Sequence, residues 1–234
     1  MSKIRAFIVG GDARISKLLS SDRLFEVIDG GKMPNPSQFD MVVFTGGEDI
    51  LPEFYGEDNI CSTWVNRQRD LVELNIFRMT KDTHYHFGIC RGLQLLAICN
   101  GSTLWQDVSG HSALGTHKMT FTSFDTMKDD SKIKSISGVT SLHHQAIKVT
   151  QDNIHRILAY EDFGQPVTAV DGTGKPTSLD RVVESAWFEE TRSFGVQGHP
   201  EYSHASKEYK DYVLFKLIED RETGYYANQR RGHA

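Results

Sequence analysis

The stretch His86-Phe87-Gly88-Ile89-Cys90-Arg91-Gly92-Leu93-Gln94 places one cysteine between two glycines, where an apolar strand-like run changes into a helix-like pattern. This is the layout of a nucleophile elbow, a sharp strand-to-helix turn that holds the nucleophile in a strained backbone conformation. Gly88 and Gly92 fit that turn because larger side chains would collide across it. The stretch therefore predicts that Cys90 lies at the carboxyl end of a strand and at the start of a helix.

The same position predicts the chemistry of Cys90. The first N–H groups of a helix lack intrahelical acceptors and, together with the helix dipole, favour negative charge. A cysteine placed there is expected to be a usable nucleophile near neutral pH. The alternative is that Cys90 is a small buried hydrophobic residue, as free cysteines commonly are.

The composition fits one folded domain. Of the 234 residues, 38% are hydrophobic and 24% are charged, which is typical of a globular protein and not of a disordered or membrane protein. We expect a single domain over residues 1–222 and a polar tail over residues 223–234. The net charge of −5 argues against a nucleic-acid partner.

The sequence also indicates a compartment. The apolar run near the N-terminus is too short for a signal peptide, and no stretch approaches the length of a membrane span, so no membrane partner is expected. The three cysteines have no framework spacing, which favours a reducing environment. We therefore expect a cytoplasmic location.

Apolar runs that alternate with helix-period segments predict a three-layer α/β fold with a mostly parallel central sheet flanked by helices. Strands are expected at residues 4–9 and 39–45. Helices are expected at residues 69–80, 91–99 and 207–220, the first with a wide apolar face that includes Val72 and Met79.

The second half predicts an antiparallel extension of the sheet, because its strand-like segments are short, alternating and separated by turn residues. The expected strands are residues 119–124, 146–150, 157–160, 167–170, 182–188 and 193–197. The segment at residues 171–176 is expected to be a hairpin loop.

A thiolate that attacks an amide needs a proton donor for the leaving nitrogen, and His199-Pro200-Glu201 is the best candidate in the sequence. Residues two apart in an extended segment point to the same side, and proline keeps its predecessor extended. His199 and Glu201 can therefore face one site. The alternative is that His199 lies in a surface turn before a proline.

With the elbow and the His199-Pro200-Glu201 segment, the sequence resembles the class I glutamine amidotransferase superfamily. Within it, the sequence is similar to the peptidase C26-like γ-glutamyl hydrolase branch, which includes γ-glutamyl-γ-aminobutyrate hydrolases. The matching segments occur in family order between Phe39 and Tyr202. They are residues 45–52 (TGGEDILP), 55–57 (YGE), 69–73 (RDLVE), 88–94 (GICRGLQ), 141–147 (SLHHQAI) and 195–201 (GVQGHPE). Arg91 and the paired histidines before Gln145 favour the hydrolase branch.

The resemblance implies a flavodoxin-like fold and assigns the catalytic roles. Cys90 is implied to be the nucleophile, His199 the general base and acid, and Glu201 the residue that orients His199. The backbone N–H groups of Gly47 and Arg91 are implied to stabilise the oxyanion. Each such donor typically contributes about 3 kcal/mol.

The resemblance further implies that Gly46, Gln94, Leu142 and His143 contact the substrate. The implied reaction is hydrolysis of a γ-glutamyl amide through a glutamyl thioester, releasing an amine and then glutamate. The expected partner is a small γ-glutamyl substrate or glutamine, and no cofactor is expected. Two alternatives stay open, namely a glutaminase component that delivers ammonia to a synthetase and a non-catalytic binding module.

Several charged residues have two interpretations from the sequence. Glu48 and Asp49 can cap a turn or contact the substrate. The charged positions of residues 69–73 can form a solvated helix face, an ion-pair network or a specificity element.

No metal site is expected. The histidine pairs His84 with His86 and His111 with His117 lack a third ligand at suitable spacing.

Two departures from the family bear on the substrate. The family usually has a bulky residue before the catalytic histidine, whereas this chain has Gly198, which is expected to open space beside the site. The region before Phe39 is also shorter than is typical of the branch. The identity of the leaving amine therefore stays open.

Overall fold

The computed structural model describes residues 3–111, 115–122, 134–149 and 156–223. The four α-helices of these residues are α1 (Ala13–Ser20), α2 (Arg67–Thr80), α3 (Arg91–Cys99) and α4 (Lys207–Thr223). The strands of the first half are β1 (Ile4–Ile8), β2 (Phe25–Asp29), β3 (Met41–Phe44), β4 (Tyr85–Ile89), β5 (Thr103–Trp105) and β6 (Asp107–Val108). Those of the second half are β7 (Gly115–Phe121), β8 (Ser135–Ser141), β9 (Ala146–Lys148), β10 (Arg156–Val170), β11 (Pro176–Phe188) and β12 (Ser193–Val196).

The central sheet has a parallel half and an antiparallel half. Its strand order is β2-β1-β3-β4-β12-β11-β10-β7-β8, with β6 pairing beside β10. The strands from β2 to β12 are parallel to their neighbours, whereas those from β12 to β8 pair in antiparallel fashion. The strands β5 and β9 form a separate two-stranded sheet. This confirms the predicted mixed architecture with an antiparallel extension.

Helices cover both faces of the sheet, which makes three layers. The core on one face contains apolar side chains of α1 and α4, including Leu19 and Tyr209. The core on the other face contains side chains of α2 and α3, including Phe77 and Leu96. The parallel strands are therefore buried on both sides, as their nearly continuous apolar sequences require.

The turn between β4 and α3 is as tight as its two glycines predict. A Cβ atom added at Gly88 would overlap the backbone of Gly92, and one added at Gly92 would overlap the carbonyl oxygen of Phe44. Cys90 between them has a φ of 54° and a ψ of −110°, a conformation that residues with side chains rarely adopt. The close approach of α3 to the sheet therefore depends on hydrogen side chains at both positions.

The predicted elements agree with the structure wherever the apolar pattern was strong. The elbow helix is observed at residues 91–99 as predicted, and the predicted hairpin loop at residues 171–176 connects β10 to β11. The two short strands predicted at residues 157–160 and 167–170 are the ends of one long strand. Gly164 and Pro166 obscured its continuity, and the register shifts between Asp162 and Val167.

Other expectations need correction. The predicted apolar face of α2 is narrower than expected, because Val72 and Met79 are exposed while Asp70 and Glu73 are buried. The sequence analysis also missed α1, β2 and β8. The sequence of β8, Ser-Ile-Ser-Gly-Val-Thr-Ser, has few large apolar residues and does not predict a strand by propensity.

The single-domain boundary at residue 222 stays a prediction. The helix α4 extends to Thr223, and residues 224–234 of the predicted tail lie outside the described residues. Within the described part of the chain, no helix is long and apolar enough to span a membrane.

We predict that Gly92→Ala lowers the free energy of unfolding by at least about 2 kcal/mol, because the added methyl group meets a backbone carbonyl that cannot move aside. Urea unfolding followed by circular dichroism measures the change. Gly164→Ala is the matched control, since a Cβ atom there meets nothing within 4 Å; its loss should not exceed about 0.5 kcal/mol. Equal stability of the two variants would contradict the tight-turn interpretation.

Candidate active site

The candidate site lies at the carboxyl ends of β4 and β12, which are adjacent in the sheet. Cys90 follows β4 directly and is the N-cap residue of α3, and its N–H donates to the Val196 carbonyl at 2.8 Å. Its side chain is almost buried. Two strands therefore fix the backbone of Cys90.

His199 follows β12 and contacts Cys90. Its side chain lies close enough to Cys90 for the sulfur to raise its pKa, and its Nδ1 lies 2.7 Å from Oε1 of Glu201. The three side chains, predicted from two separate segments of the sequence, are thus brought together. The bond to Glu201 fixes the orientation of the imidazole ring, as a carboxylate does in a catalytic triad.

Two further residues hold His199 in place. The His199 N–H donates to Thr140 Oγ1 at 2.5 Å, and the same hydroxyl donates to the His199 carbonyl at 3.1 Å. The ring of Tyr202 stacks on the His199 ring, with centroids 4.4 Å apart and planes inclined by 9°. The Arg14 guanidinium lies 4.8 Å from the centroid of the Tyr202 ring.

The charge environment of His199 favours an imidazolium. Burial of the ring lowers its pKa, but the charge and hydrogen bond of Cys90 and the hydrogen bond of Glu201 outweigh this effect and raise the pKa of His199 to about 11. At neutral pH the ring therefore carries a proton that can be given to a leaving group.

The loop after β3 passes over Cys90 and His199. A Cβ atom added at Gly46 would lie 2.7 Å from Cε1 of His199 and 3.6 Å from Cβ of Cys90. Gly47 has a φ of 147°, and the space that its side chain would fill is occupied by the Arg69 guanidinium. Both glycines are therefore required by the close approach of other side chains.

Arg69 anchors this loop to α2. Its Nη2 donates to the Gly46 carbonyl at 2.9 Å and to Thr45 Oγ1 at 3.0 Å. The guanidinium also pairs with Glu48 and, through Nε at 2.8 Å, with Glu73.

A second arginine, Arg91, shares the carboxylate of Glu73 with Arg69. The Arg91 side chain is buried and pairs with both Asp70 and Glu73. Because Glu73 bridges Arg69 and Arg91, one continuous network joins the loop after β3 to the first residue of α3. Of the interpretations open from the sequence, the structure favours the ion-pair network for these residues.

Gln94 takes a more internal position than its predicted substrate role implies. Its Nε2 donates to the Gln145 carbonyl at 3.0 Å and to Gln197 Oε1 at 3.3 Å. Gln197 in turn donates from its Nε2 to the Cys90 sulfur at 3.6 Å. The sequence analysis assigned no role to Gln197, and its contact with a residue 107 positions away has no local signal.

The two predicted substrate contacts after β8 differ in exposure. Leu142 is 40% exposed and lines a cleft beside the site. His143 is buried, its backbone N–H donates to the His111 carbonyl at 3.0 Å, and its Nδ1 lies 3.0 Å from the Gln145 carbonyl. Burial lowers the pKa of His143 well below its usual value, so its ring is neutral. The His143 N–H is thus already bonded within the protein.

The expectation that Gly198 opens space is wrong. A Cβ atom at this position would lie 2.8 Å from the Thr140 carbonyl oxygen, 2.8 Å from Cγ1 of Val139 and 2.9 Å from the hydroxyl oxygen of Tyr209. The glycine allows β8 and α4 to approach closely, and their atoms fill the space that a bulky residue would take.

The remaining charged candidates support the fold of the loops. Asp49 accepts from the Thr63 N–H at 2.7 Å and lies 2.8 Å from Nε2 of His144. The hydrogen bond to Asp49 and the nearby Asp107 raise the pKa of His144 to about 9. His84 and His86 also have protein partners, at the Pro36 carbonyl and at Thr80 Oγ1.

Comparison with known proteins places this site in a family. Residues 36–201, most of the chain, match the family model of peptidase C26. The chain belongs to the peptidase C26 family. The resemblance read from its motifs is thereby confirmed.

The relatives of this peptidase C26 chain include a glutamine amidotransferase-like protein. The putative glutamine amidotransferase-like protein YvdE of Lactococcus lactis is 29% identical over 190 residues, which cover 76% of this chain and 72% of that protein. The protein NtpR of Enterococcus hirae is 32% identical over 184 residues, covering 72% of this chain and 70% of that protein.

Solved structures share the fold. A putative GMP synthase protein from Thermoplasma acidophilum superposes with a TM-score of 0.58 at 18% identity, covering 95% of this chain and 98% of the other. A glutamine amidotransferase from Thermotoga maritima superposes with a TM-score of 0.56 at 14% identity, covering 96% and 91%. The peptidase C26 chain therefore has the flavodoxin-like fold of class I glutamine amidotransferases.

We predict that Arg91→Met destabilises the peptidase C26 chain by about 3–5 kcal/mol, because the two buried carboxylates lose their shared cation. Arg67→Met is the matched control. Arg67 pairs with Glu53 at the surface, where the two side chains are 59% and 48% exposed, and its loss should be below about 1 kcal/mol. Denaturant unfolding of both variants measures the difference, and a small loss for Arg91→Met would count against the network as a stabilising feature.

Proposed function

We propose that this chain is a cysteine-dependent hydrolase that cleaves a γ-glutamyl amide bond through a glutamyl thioester at Cys90. The observation that carries the proposal is the position of His199 beside Cys90, since the side chains of both border the Gly46 backbone, with Glu201 orienting His199 at 2.7 Å. A nucleophile, a base and an orienting carboxylate in this order form the minimum set for acyl transfer through a covalent intermediate.

The first half of the proposed reaction forms the thioester. The Cys90 sulfur attacks the δ-carbonyl carbon of the glutamyl group, and the carbonyl oxygen takes up negative charge. The N–H of Arg91 is the first of α3 and has no acceptor within the helix. We propose that this N–H and the N–H of Gly47 together stabilise that oxyanion. His199 then gives its proton to the leaving nitrogen, and the free amine departs.

The second half regenerates the enzyme. His199, now neutral, takes a proton from water as the water oxygen attacks the thioester carbonyl. The tetrahedral intermediate collapses, the carbon–sulfur bond breaks, and glutamate leaves. Since Nδ1 of His199 is bonded to Glu201, one ring nitrogen, Nε2, carries both proton transfers.

Recognition of the glutamyl group is proposed for the residues behind Cys90. Gln94 uses its amide nitrogen for protein contacts, so its carbonyl oxygen is the atom suited to a substrate ammonium. Gly46 and the Leu142–His143 backbone complete the proposed contacts. Because the His143 N–H is already bonded to His111, the His143 contact is proposed through its carbonyl group.

The leaving amine is proposed to occupy a cleft of about 660 Å³ beside Glu201. Arg14, Lys17, Lys210 and Leu142 line this cleft. These three basic side chains outnumber Glu201, the one carboxylate among the described lining residues, so the cleft favours an anion over a polyamine. We therefore propose that the leaving amine carries a carboxylate or another acidic group.

We predict that Cys90→Ala and His199→Ala each reduce release of glutamate from γ-glutamyl amides by at least about a thousandfold. Glu201→Gln should retain measurable turnover, because it disturbs the orientation and lowers the pKa of His199 but leaves the nucleophile and the imidazole in place. Cys61→Ala is the control and should keep full activity. Glutamate is measured by a coupled assay on the purified chain alone.

The same assay separates the proposed function from its alternatives. Turnover that appears only when a synthetase is added would instead identify a glutaminase component. Absence of turnover over glutamine and a wide panel of γ-glutamyl amides, with and without a synthetase, would support a non-catalytic binding module.

We predict that Lys17→Gln combined with Lys210→Gln raises KM about tenfold for a γ-glutamyl amide with an acidic leaving amine, through lost attraction to the substrate. KM for glutamine, which releases ammonia, should hardly change. Lys207→Gln is the control, because Lys207 is 86% exposed and does not line the cleft. A preference for polyamine leaving groups in the wild type would rule out this assignment of the cleft.

A further inference from the structure

A second cluster of ionisable side chains lies in the antiparallel half of the sheet. His117 on β7, Glu161 on β10 and Glu184 on β11 come from three strands that are adjacent in the sheet. Glu161 pairs with Val182 of β11, two residues before Glu184. On its other side it pairs with Met119 of β7, two residues after His117. The topology thus brings together residues that are 67 positions apart in the sequence.

The distances in this cluster suit a shared cation. One ligand atom from each of His117, Glu161 and Glu184 lies within 4.8 Å of the other two. Nε2 of His117 is 3.2 Å from Oε2 of Glu184, and Nδ1 is 3.4 Å from Oε2 of Glu161. Neither contact is a well-directed hydrogen bond, since both ring nitrogens lack a hydrogen-bond partner among the described residues.

The burial of Glu184 also indicates a bound cation. The residue is 0% exposed, and neither carboxylate oxygen has a hydrogen-bond partner in the part of the chain that the structure describes. An unsatisfied carboxylate in the interior is costly, so buried charges are normally paired or bound to a metal ion. Its Oε2 is directed at the His117 ring, toward the centre of the cluster.

His111 adds a fourth donor with the orientation expected of a ligand. Its Nε2 lies 2.9 Å from Oε2 of Glu161, and its Nδ1 lies 3.3 Å from the Ser109 carbonyl. Both partners are acceptors, so without an ion the ring bonds both as an imidazolium; when Nδ1–H keeps its bond to Ser109, loss of the Nε2 proton frees that nitrogen to bind a cation beside Glu161. A histidine held by a backbone carbonyl in this way is the usual arrangement around a bound metal.

A cavity of about 320 Å³ borders the cluster. It is lined by His111, His117 and Glu161, together with Phe163 and Ser141, while Glu184 is not among its described lining residues. No lysine or arginine is among the described residues that line it. Beside this cavity, the charge of the two carboxylates can therefore be balanced by protons on the two histidines or by an ion from solution.

We propose that His117, Glu161 and Glu184, with His111 beside them, form a binding site for one divalent transition-metal ion of the zinc type. Imidazole nitrogens and carboxylate oxygens are ligands that Zn²⁺ accepts at about 2.0–2.2 Å, in tetrahedral geometry. Two carboxylates and neutral imidazoles also match its charge of +2. The alternative is a pair of imidazolium–carboxylate contacts that holds no metal.

The site has a structural role in this proposal. The His111 carbonyl accepts from the His143 N–H at 3.0 Å and from Ser141 Oγ at 3.2 Å. The Glu184 carbonyl accepts from the Gln197 N–H at 2.8 Å. An ion bound here ties together three strands directly behind two segments of the candidate active site.

The test uses chelator-treated Cys90→Ala protein, so that the catalytic sulfur cannot bind the metal. Calorimetric titration with Zn²⁺ should show one equivalent bound per chain, and the ion should raise the melting temperature. Glu184→Gln and His117→Gln in the same background should weaken binding by at least about tenfold. Glu161→Gln, at a partly exposed position, should do the same and serves as a second variant if Glu184→Gln fails to fold.

The control removes one imidazole and one carboxylate elsewhere, in His204→Gln with Glu190→Gln, both at exposed positions. This protein should bind Zn²⁺ as the parent does. The proposal is overturned if Cys90→Ala protein binds no stoichiometric Zn²⁺, or if the folded cluster variants bind it as tightly as the parent. Because the measurement uses inactive protein, its outcome is independent of the proposed hydrolase activity.

Discussion

The close approach of α3 to the sheet is the constraint on which the rest of the structure depends. With hydrogen side chains at Gly88 and Gly92, the helix backbone packs directly against β4 and the Phe44 carbonyl. Cys90 is held at a φ of 54° in the turn between them. Strain of this kind persists only where surrounding contacts fix it, and here the bond from the Cys90 N–H to Val196 and the packing of α3 supply those contacts.

The buried arginines extend this constraint to the loop that covers the site. Burial of charge is costly, and an ion pair in the interior often adds little net stability. Its geometric effect is clear in this chain, because Arg91 begins α3 while Arg69 binds the carbonyl group of Gly46. Through Glu73, which contacts both, the two proposed oxyanion donors are held in one frame. A preorganised pair of donors needs such a frame, since reorientation during the reaction would cost the stabilisation they provide.

The two halves of the sheet position different residues of the candidate site. The parallel half supplies the carboxyl ends that position Cys90 and His199, as parallel sheets commonly do. The antiparallel half supplies Thr140, whose hydroxyl bonds both the N–H and the carbonyl group of His199. It also carries the His117–Glu161–Glu184 cluster. Gly198 lies at the contact between the halves. Its missing side chain serves close packing against β8 and α4 and leaves no extra room for substrate.

The sequence by itself predicted the elbow, the parallel core and Cys90, His199 and Glu201 as residues that face one site. These features depend on local rules: two glycines around a cysteine, apolar runs of strand and helix period, and a proline that keeps His199 and Glu201 on one side. The order of the matching motifs between Phe39 and Tyr202 then predicted the family. Weakly apolar segments such as β8 carried no comparable signal, so their strands could not be predicted.

Only the tertiary structure decided which polar residues meet: Gln197 and Cys90 are 107 positions apart, and Arg91 and Asp70 are 21 apart. No periodicity links them, because strand order in the sheet sets these contacts and local propensity does not. The filled space at Gly198 and the grouping of two glutamates with two histidines arise in the same way, from neighbours that the fold brings in from distant parts of the chain.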